Sequence, residues 1–406
     1  MKEAPQPIVY ITREIERALG MMPGPAYRIV TNRTLYAEAI RTQYPDYVTL
    51  IDSQTGDPLG TSDLLRHVQT EQAIASIGAA VLIFKNTART EPIIKARGWQ
   101  LLNPPASLSE TIENKVTQIT WLGELGTKYL PSYRIEVVKN IVWQKVPIVL
   151  QWAHGHTGEG THLIHTEAEL KSLQEKFPDR NCRTLRYIPG PAFTVNVVVC
   201  SDKILVGNVS YQITGLSPFT DNEFSTVGND WSVTHSLLAE AEVAYIERMA
   251  VDIGTKMQKD GWRGLFGLDV IRDDAENTIY MIEINARQPA STTFESFLQR
   301  EFRSHGISGL TTFEAHIAAL RNEPVTASLI PVNDGAQVVQ RVTKTVRSVS
   351  NDVPGSLELD GYQVIAYPNT AYNADLLRVQ SLQGIMETHG RLNERGKEIA
   401  ETVQEA

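Results

Sequence analysis

The chain has 406 residues, 42% of them hydrophobic and 21% charged, and carries a net charge of -9. That length predicts about two to three globular domains, and the acidic balance argues against a broad electrostatic footprint for nucleic acid. The only cysteines, Cys182 and Cys200, are too few for a disulfide framework or a zinc quartet, which fits a reducing compartment. The opening "MKEAPQPIVYITREIE" has no apolar signal-peptide core, and no apolar run approaches the roughly 18 residues of a membrane span. The expectation is a cytoplasmic protein with no membrane and no nucleic-acid partner.

In chain order, short apolar stretches at 8–12, 27–32, 47–52, 80–86 and 99–103 read as strands. Between them "LYAEAIRTQY", "TSDLLRHVQTEQAIASI" and "TEPIIKARG" have helical spacing, the second with a Thr-Ser cap. This alternation predicts a parallel sheet covered by helices over 1–105. "NPPAS" ends that unit, and a helical segment follows. Next come the strand "PIVLQWA", the loop "HGHTGEGT" (154–161), the helix "EAELKSLQEKF" and the strand "TLRYI" (184–188). "FTVNVVVCSDKILVGNVSYQITG" predicts an antiparallel pair turning at Asp202 and Lys203. One long helix, "SLLAEAEVAYIERMAVDIGTKMQ", precedes a hairpin. After residue 325 a further unit begins, with strands "AQVVQRV" and "YQVIAYP" and a charged last helix.

The hairpin "GLDVIRDDAENTIYMIEINAR" (267–287) carries the chemistry. Side chains alternate faces along a strand. With the turn centred near Glu276, Asp269 lies opposite Glu283 and Gly267 opposite Asn285, so two carboxylates and an amide oxygen share one face. By the same parity Met281 joins Glu283 and Asn285, while Tyr280, Ile282 and Ile284 point oppositely. Facing carboxylates repel unless a cation sits between them. Hard oxygen donors suit magnesium, particularly where phosphate completes its shell, and Arg287 suits phosphate. The alternative is a solvated acidic face on an exposed sheet.

These residues resemble the ATP-grasp superfamily, whose members pair an acidic strand with "E-x-N-x-R". Asp269, Glu283, Asn285 and Arg287 fill those positions in order. Lys115 in "ENK" matches the lysine that precedes the family's lid. "HGHTGEGT" matches its glycine-rich loop and "LRYIPG" its adenine hinge. The resemblance implies a Rossmann-like α/β domain (1–105), an ATP-grasp fold (106–325) with a small lid subdomain (about 120–188), and a C-terminal α+β extension (326–406). That domain order resembles the biotin carboxylase and carbamoyl-phosphate synthetase branch.

It further implies ATP and two magnesium ions as cofactors. Asp269, Glu283 and Asn285 would hold the metal, with Asn285 and Arg287 catalytic. Lys115, Gln151, His154, Gly155, His156, Thr157, Gly158, Gly160, Arg186, Tyr187 and Ile188 would bind ATP. Glycines in such a loop let backbone N–H groups approach phosphate closely.

The chain departs from the pattern at three places. Gln151 stands where the family carries Lys or Arg, which leaves His154, His156 and Arg186 as candidates for the missing charge. Leu185 replaces the hinge Glu, and Ser291 stands near the carboxylases' catalytic Glu. The implied activity is an ATP-dependent carboxylate–amine ligase acting through an acyl phosphate, with small-molecule carboxylate and amine substrates and room for a homodimer. A bicarbonate-activating, biotin-carboxylase-like enzyme and a catalytically silent ATP-binding protein are the alternatives. Gln212, Thr214, Asn229 and Asp230 lie where an acceptor would enter, although loops use such residues for turns in any case.

Overall fold

The computed structural model describes residues 6–53, 56–153 and 160–404. Four strands, β1 (Ile8–Ile11), β2 (Tyr27–Asn32), β3 (Val48–Ile51) and β4 (Ala80–Ile83), form a parallel sheet in the order β3-β2-β1-β4. Every side chain of the central β1 is fully buried. Helices cover both faces of such a sheet, which is why its strands read as unbroken apolar runs. The stretch 99–103, expected as a fifth strand, contributes only an isolated bridge between Val81 and Leu101. The second predicted helix is two, Thr61–Arg66 and Val68–Ala75. His67 breaks it by adopting extended backbone at φ -71 and ψ 138, and Gly60 rather than Thr-Ser occupies the N-cap.

A second sheet, antiparallel, is built from β5 (Tyr133–Val137), β6 (Ile148–Trp152), β7 (Thr161–Ile164) and β8 (Asn181–Arg186), in the order β5-β8-β6-β7. The helix Glu167–Lys176 joins β7 to β8. Thr166 and Glu169 close a reciprocal capping box at its start.

The largest sheet has nine strands. They are β9 (Ala192–Val199), β10 (Ile204–Val206), β11 (Ser210–Thr214), β12 (Thr226–Asp230), β13 (Gly264–Asp273), β14 (Thr278–Asn285), β15 (Ala336–Arg341), β16 (Gln363–Ala366) and β17 (Asp375–Ser381). Its path runs β14-β13-β9-β11-β12-β15-β17-β16, with β10 pairing to β9. Strands on either side of residue 325 thus share one sheet, because β12 pairs directly with β15. Against one face lies the helix Glu240–Lys259, whose buried residues Ile246, Met249, Ala250, Ile253 and Met257 recur at helical spacing. That packing leaves the other face of β9, β11 and β13 to carry polar side chains. Among the described residues no helix is long and apolar enough to cross a membrane.

Candidate active site on the sheet hairpin

The β13–β14 hairpin has the register read from parity: Asp269 pairs with Glu283 and Gly267 with Asn285. Beyond that pair the register shifts, since Val270 faces Met281 and Ile282 has no partner on β13. Ile282 is therefore the extra residue of a β-bulge. The bulge changes one expectation. Met281 is buried in the core opposite Val270 rather than lying beside Glu283, and Ile279 and Ile284 are buried too. Both carboxylates reach the cleft, while the apolar residues further along the hairpin stay in the core.

Each acid is held on its own side. Asp269 accepts hydrogen bonds from the Thr194 hydroxyl on β9 at 2.6 Å and from Asn285 Nδ2 at 2.9 Å. Burial and the facing Glu283 push its carboxyl up to about 6. Glu283 Oε1 accepts from Lys115 Nζ at 2.7 Å. Burial works against the Glu283 charge, but Lys115 and then Arg287 hold its carboxyl below the ordinary range. Arg287 and Lys85 both ion-pair with Glu113, just ahead of Lys115 in sequence. Because Asn285 donates through Nδ2, its Oδ1 remains available as a third oxygen. Two carboxylates and one amide oxygen, with like charges opposed in register, form a donor set that fits a hard divalent cation whose shell phosphate completes. Among the described residues no three His, Cys, Asp or Glu cluster anywhere, so at this site two acids need Asn285 as the third oxygen.

On the second sheet, Gln151 of β6 is the cross-strand partner of Arg183 of β8. Gln151 Oε1 accepts from Arg183 Nε at 3.0 Å and from Nη2 at 2.7 Å. A guanidinium therefore lies behind the glutamine expected at the family's cationic position. Sequence reading missed Arg183, which falls one residue before the strand read at 184–188. Arg186, expected as a compensating cation, instead ion-pairs with Asp273 at 2.8 Å and Glu276 at 3.1 Å near the hairpin turn. Ile188 is buried, and Tyr187 meets the His165 ring edge-on at 6.2 Å. Gly160 is buried and its carbonyl accepts from Trp152 N at 2.9 Å. His154, Gly155, His156, Thr157 and Gly158 lie outside the described residues.

Next to the acids the polar face continues across the sheet. Gln212 of β11 donates through Nε2 to Thr194 and accepts from Thr226 at 3.2 Å. Asn229 accepts from Gln337 Nε2 at 3.5 Å, and Gln337 Oε1 accepts from Arg378 at 3.3 Å. Arg378 in turn donates to the Tyr367 hydroxyl at 3.1 Å, which donates to Glu16 at 2.6 Å. Thr214 stands at the rim, with its hydroxyl 3.3 Å from that of Thr226. Asp230 belongs to the framework: its buried carboxylate accepts from Ser232, Val233, Ile385 and Met386. Ser291 exchanges hydrogen bonds with Asn196. Nearby, the buried Glu295 is satisfied by Asn196 and Asn208.

No curated protein sequence matches the chain. Residues 112–291 match the family model for the ATP-grasp domain. In fold the whole chain is similar to an ADP complex of N5-carboxyaminoimidazole ribonucleotide synthetase, at 17% identity, a TM-score of 0.65 and coverage of 100% of both chains. It is likewise similar to the Aspergillus clavatus N5-carboxyaminoimidazole synthase complexed with ADP and aminoimidazole ribonucleotide, at 13% identity, a TM-score of 0.64 and coverage of 98% and 97%. An L-amino acid ligase from Bacillus licheniformis matches at 13% identity, a TM-score of 0.63 and coverage of 99% and 98%. The match of residues 112–291 spans Lys115, both strands of the hairpin and Arg287, and the chain is thereby identified as one that carries an ATP-grasp domain.

Proposed function

We propose that the protein is an ATP-dependent carboxylate–amine ligase acting through an acyl phosphate and releasing ADP and phosphate. The observation that carries this reading is the register of Asp269 against Glu283, with Asn285 beside them and Arg287 two residues on. Asp269, Glu283 and Asn285 are the donors assigned to magnesium, which when bound offsets the charge of the transferring phosphoryl group. Lys115 and Gln151 are the described side chains assigned to the phosphates. A carboxylate oxygen of the substrate attacks the γ-phosphorus and ADP leaves. The amine then attacks the acyl carbon, loses a proton, and phosphate departs. Arg287 steadies the oxyanion of that tetrahedral intermediate. Positioning and electrostatics do this work, and no nucleophilic side chain is required.

The acceptor enters along the polar lane from Gln212 to Arg378. Full-length similarity in fold to N5-carboxyaminoimidazole ribonucleotide synthetases favours a second reading, in which bicarbonate is the carboxylate. An ADP-release screen of carboxylates crossed with amines, with one arm of bicarbonate alone, separates the two. Glu283→Gln should abolish ADP release with the fold intact. Retained turnover in that variant would reject the metal assignment.

A further inference from the structure

Arg183 is fully buried, at 0% exposure, yet all its hydrogen bonds go to neutral acceptors. Besides the two to Gln151 Oε1, Nη1 donates to Gln118 Oε1 at 2.9 Å and Nη2 to the Ile282 carbonyl at 3.1 Å. Among the described residues no carboxylate forms an ion pair with it. Glu283 acts on its charge only from beyond ion-pair distance; an interior charge without a direct partner is costly, and an apolar or amide side chain would brace the same strands without that cost. Its site joins the two halves of the cleft: Gln151 belongs to the strand leading into the glycine loop, and Ile282 is the bulge residue just before Glu283.

We propose that Arg183 is a positioning residue that supplies, through Gln151, the positive charge which holds the phosphates of the bound nucleotide. This rests on the nucleotide-binding reading above. The geometry gives the route. Two N–H groups of Arg183 occupy Gln151 Oε1, which turns Nε2 away from the guanidinium toward the Thr161 hydroxyl, 3.5 Å distant at the end of the glycine loop. The amide thus presents a donor whose polarity the adjacent charge strengthens. The cation has moved across the strand ladder, and the glutamine extends its reach.

The test is calorimetric binding of ATP, ADP and adenosine, with magnesium, to the full chain and its variants. Arg183→Met should weaken ATP and ADP by at least about tenfold, as expected for loss of a charge-assisted contact, and leave adenosine unchanged. Adding Gln151→Lys to Arg183→Met should restore phosphate-dependent affinity, which a purely structural brace would not allow. Gln151→Lys alone places two cations together and should bind ATP more weakly than that double variant. Equal losses for ATP and adenosine, or no recovery in the double variant, would overturn the proposal. If Arg183→Met does not fold, the double variant is compared with the wild type: matching ATP affinity supports the proposal and a tenfold deficit, about 1.4 kcal/mol, overturns it. A wild-type protein that binds adenosine but gains nothing from the phosphates would overturn it as well. Failure to bind any nucleotide would overturn the underlying ligase reading.

Discussion

Removing Lys115 tests how the acids of the hairpin are kept charged. The lysine side chain is 6% exposed and Glu283 34%, and their 2.7 Å contact is direct. Breaking a fully buried pair costs about 3–5 kcal/mol. With Glu283 one-third open to water, the lower figure for a charge-assisted bond, about 2 kcal/mol, is the better scale. Lys115→Met would leave Glu283 facing Asp269 in register with only the charges of Arg287 and Arg183 to offset it, so like-charge repulsion adds to the loss. Glu283→Gln in that background removes the repulsion as well as the orphaned charge. The double variant should therefore be more stable than Lys115→Met alone, by about 1–2 kcal/mol. Urea denaturation without nucleotide measures this directly. A double variant less stable than Lys115→Met would refute the account, because it would mean that Glu283 is stabilised by something other than Lys115.

Three further outcomes follow from the same geometry. Arg186→Ala should cost about 2 kcal/mol of stability, since it removes the cation paired with Asp273, whose side chain is 3% exposed, and leave ATP affinity unchanged; a loss like that of Arg183→Met would return the compensating charge to Arg186. Asp230→Asn presents an NH2 group to backbone donors at Ile385 and Met386, so denaturation should show a loss of about 3 kcal/mol; an unaltered midpoint would remove Asp230 from the framework. Burial lowers His316 from 6.5 to about 3, while its ring Nδ1 accepts from Leu265 N. Above pH 6.5 neither folded nor unfolded chain protonates it; below, only the unfolded chain does. His316 should thus make stability fall by up to about 1.4 kcal/mol per pH unit as pH drops from 6.5 toward 3. His316→Gln should flatten that slope, and identical slopes in the two proteins would refute the assignment.

What could be read from the sequence was what depends on near neighbours. Parity alone placed Asp269 against Glu283 and Gly267 against Asn285, because a tight hairpin ties register to a short stretch of chain. The strand–helix alternation of the first hundred residues was legible for the same reason. The bulge at Ile282 was not, since neither glycine nor a polar residue marks it, and Met281 was accordingly assigned to the wrong face. His67 carries no breaker signal, yet the chain is extended there. β17 was overlooked because Arg378 interrupts "DLLRVQS", although the arginine is nearly buried on the polar face of a shared sheet. The Gln151–Arg183 pair depends on the register of strands 32 positions apart, which no local pattern reveals.

The cations around this cleft fall into two kinds, and the difference bears on what each contributes to binding. Lys115 is held by Glu283, and Lys85 and Arg287 by Glu113. To engage an anionic ligand each must weaken or share an existing ion pair, so its net contribution to affinity is small, although its position is fixed in advance. Arg183 has no such pair to give up. Its desolvation cost is already borne by the fold, and an incoming phosphate would meet an amide donor polarised by that charge. The neutral residue at the mouth and the charged one behind it are most economically explained as a single phosphate-directed device divided between two strands.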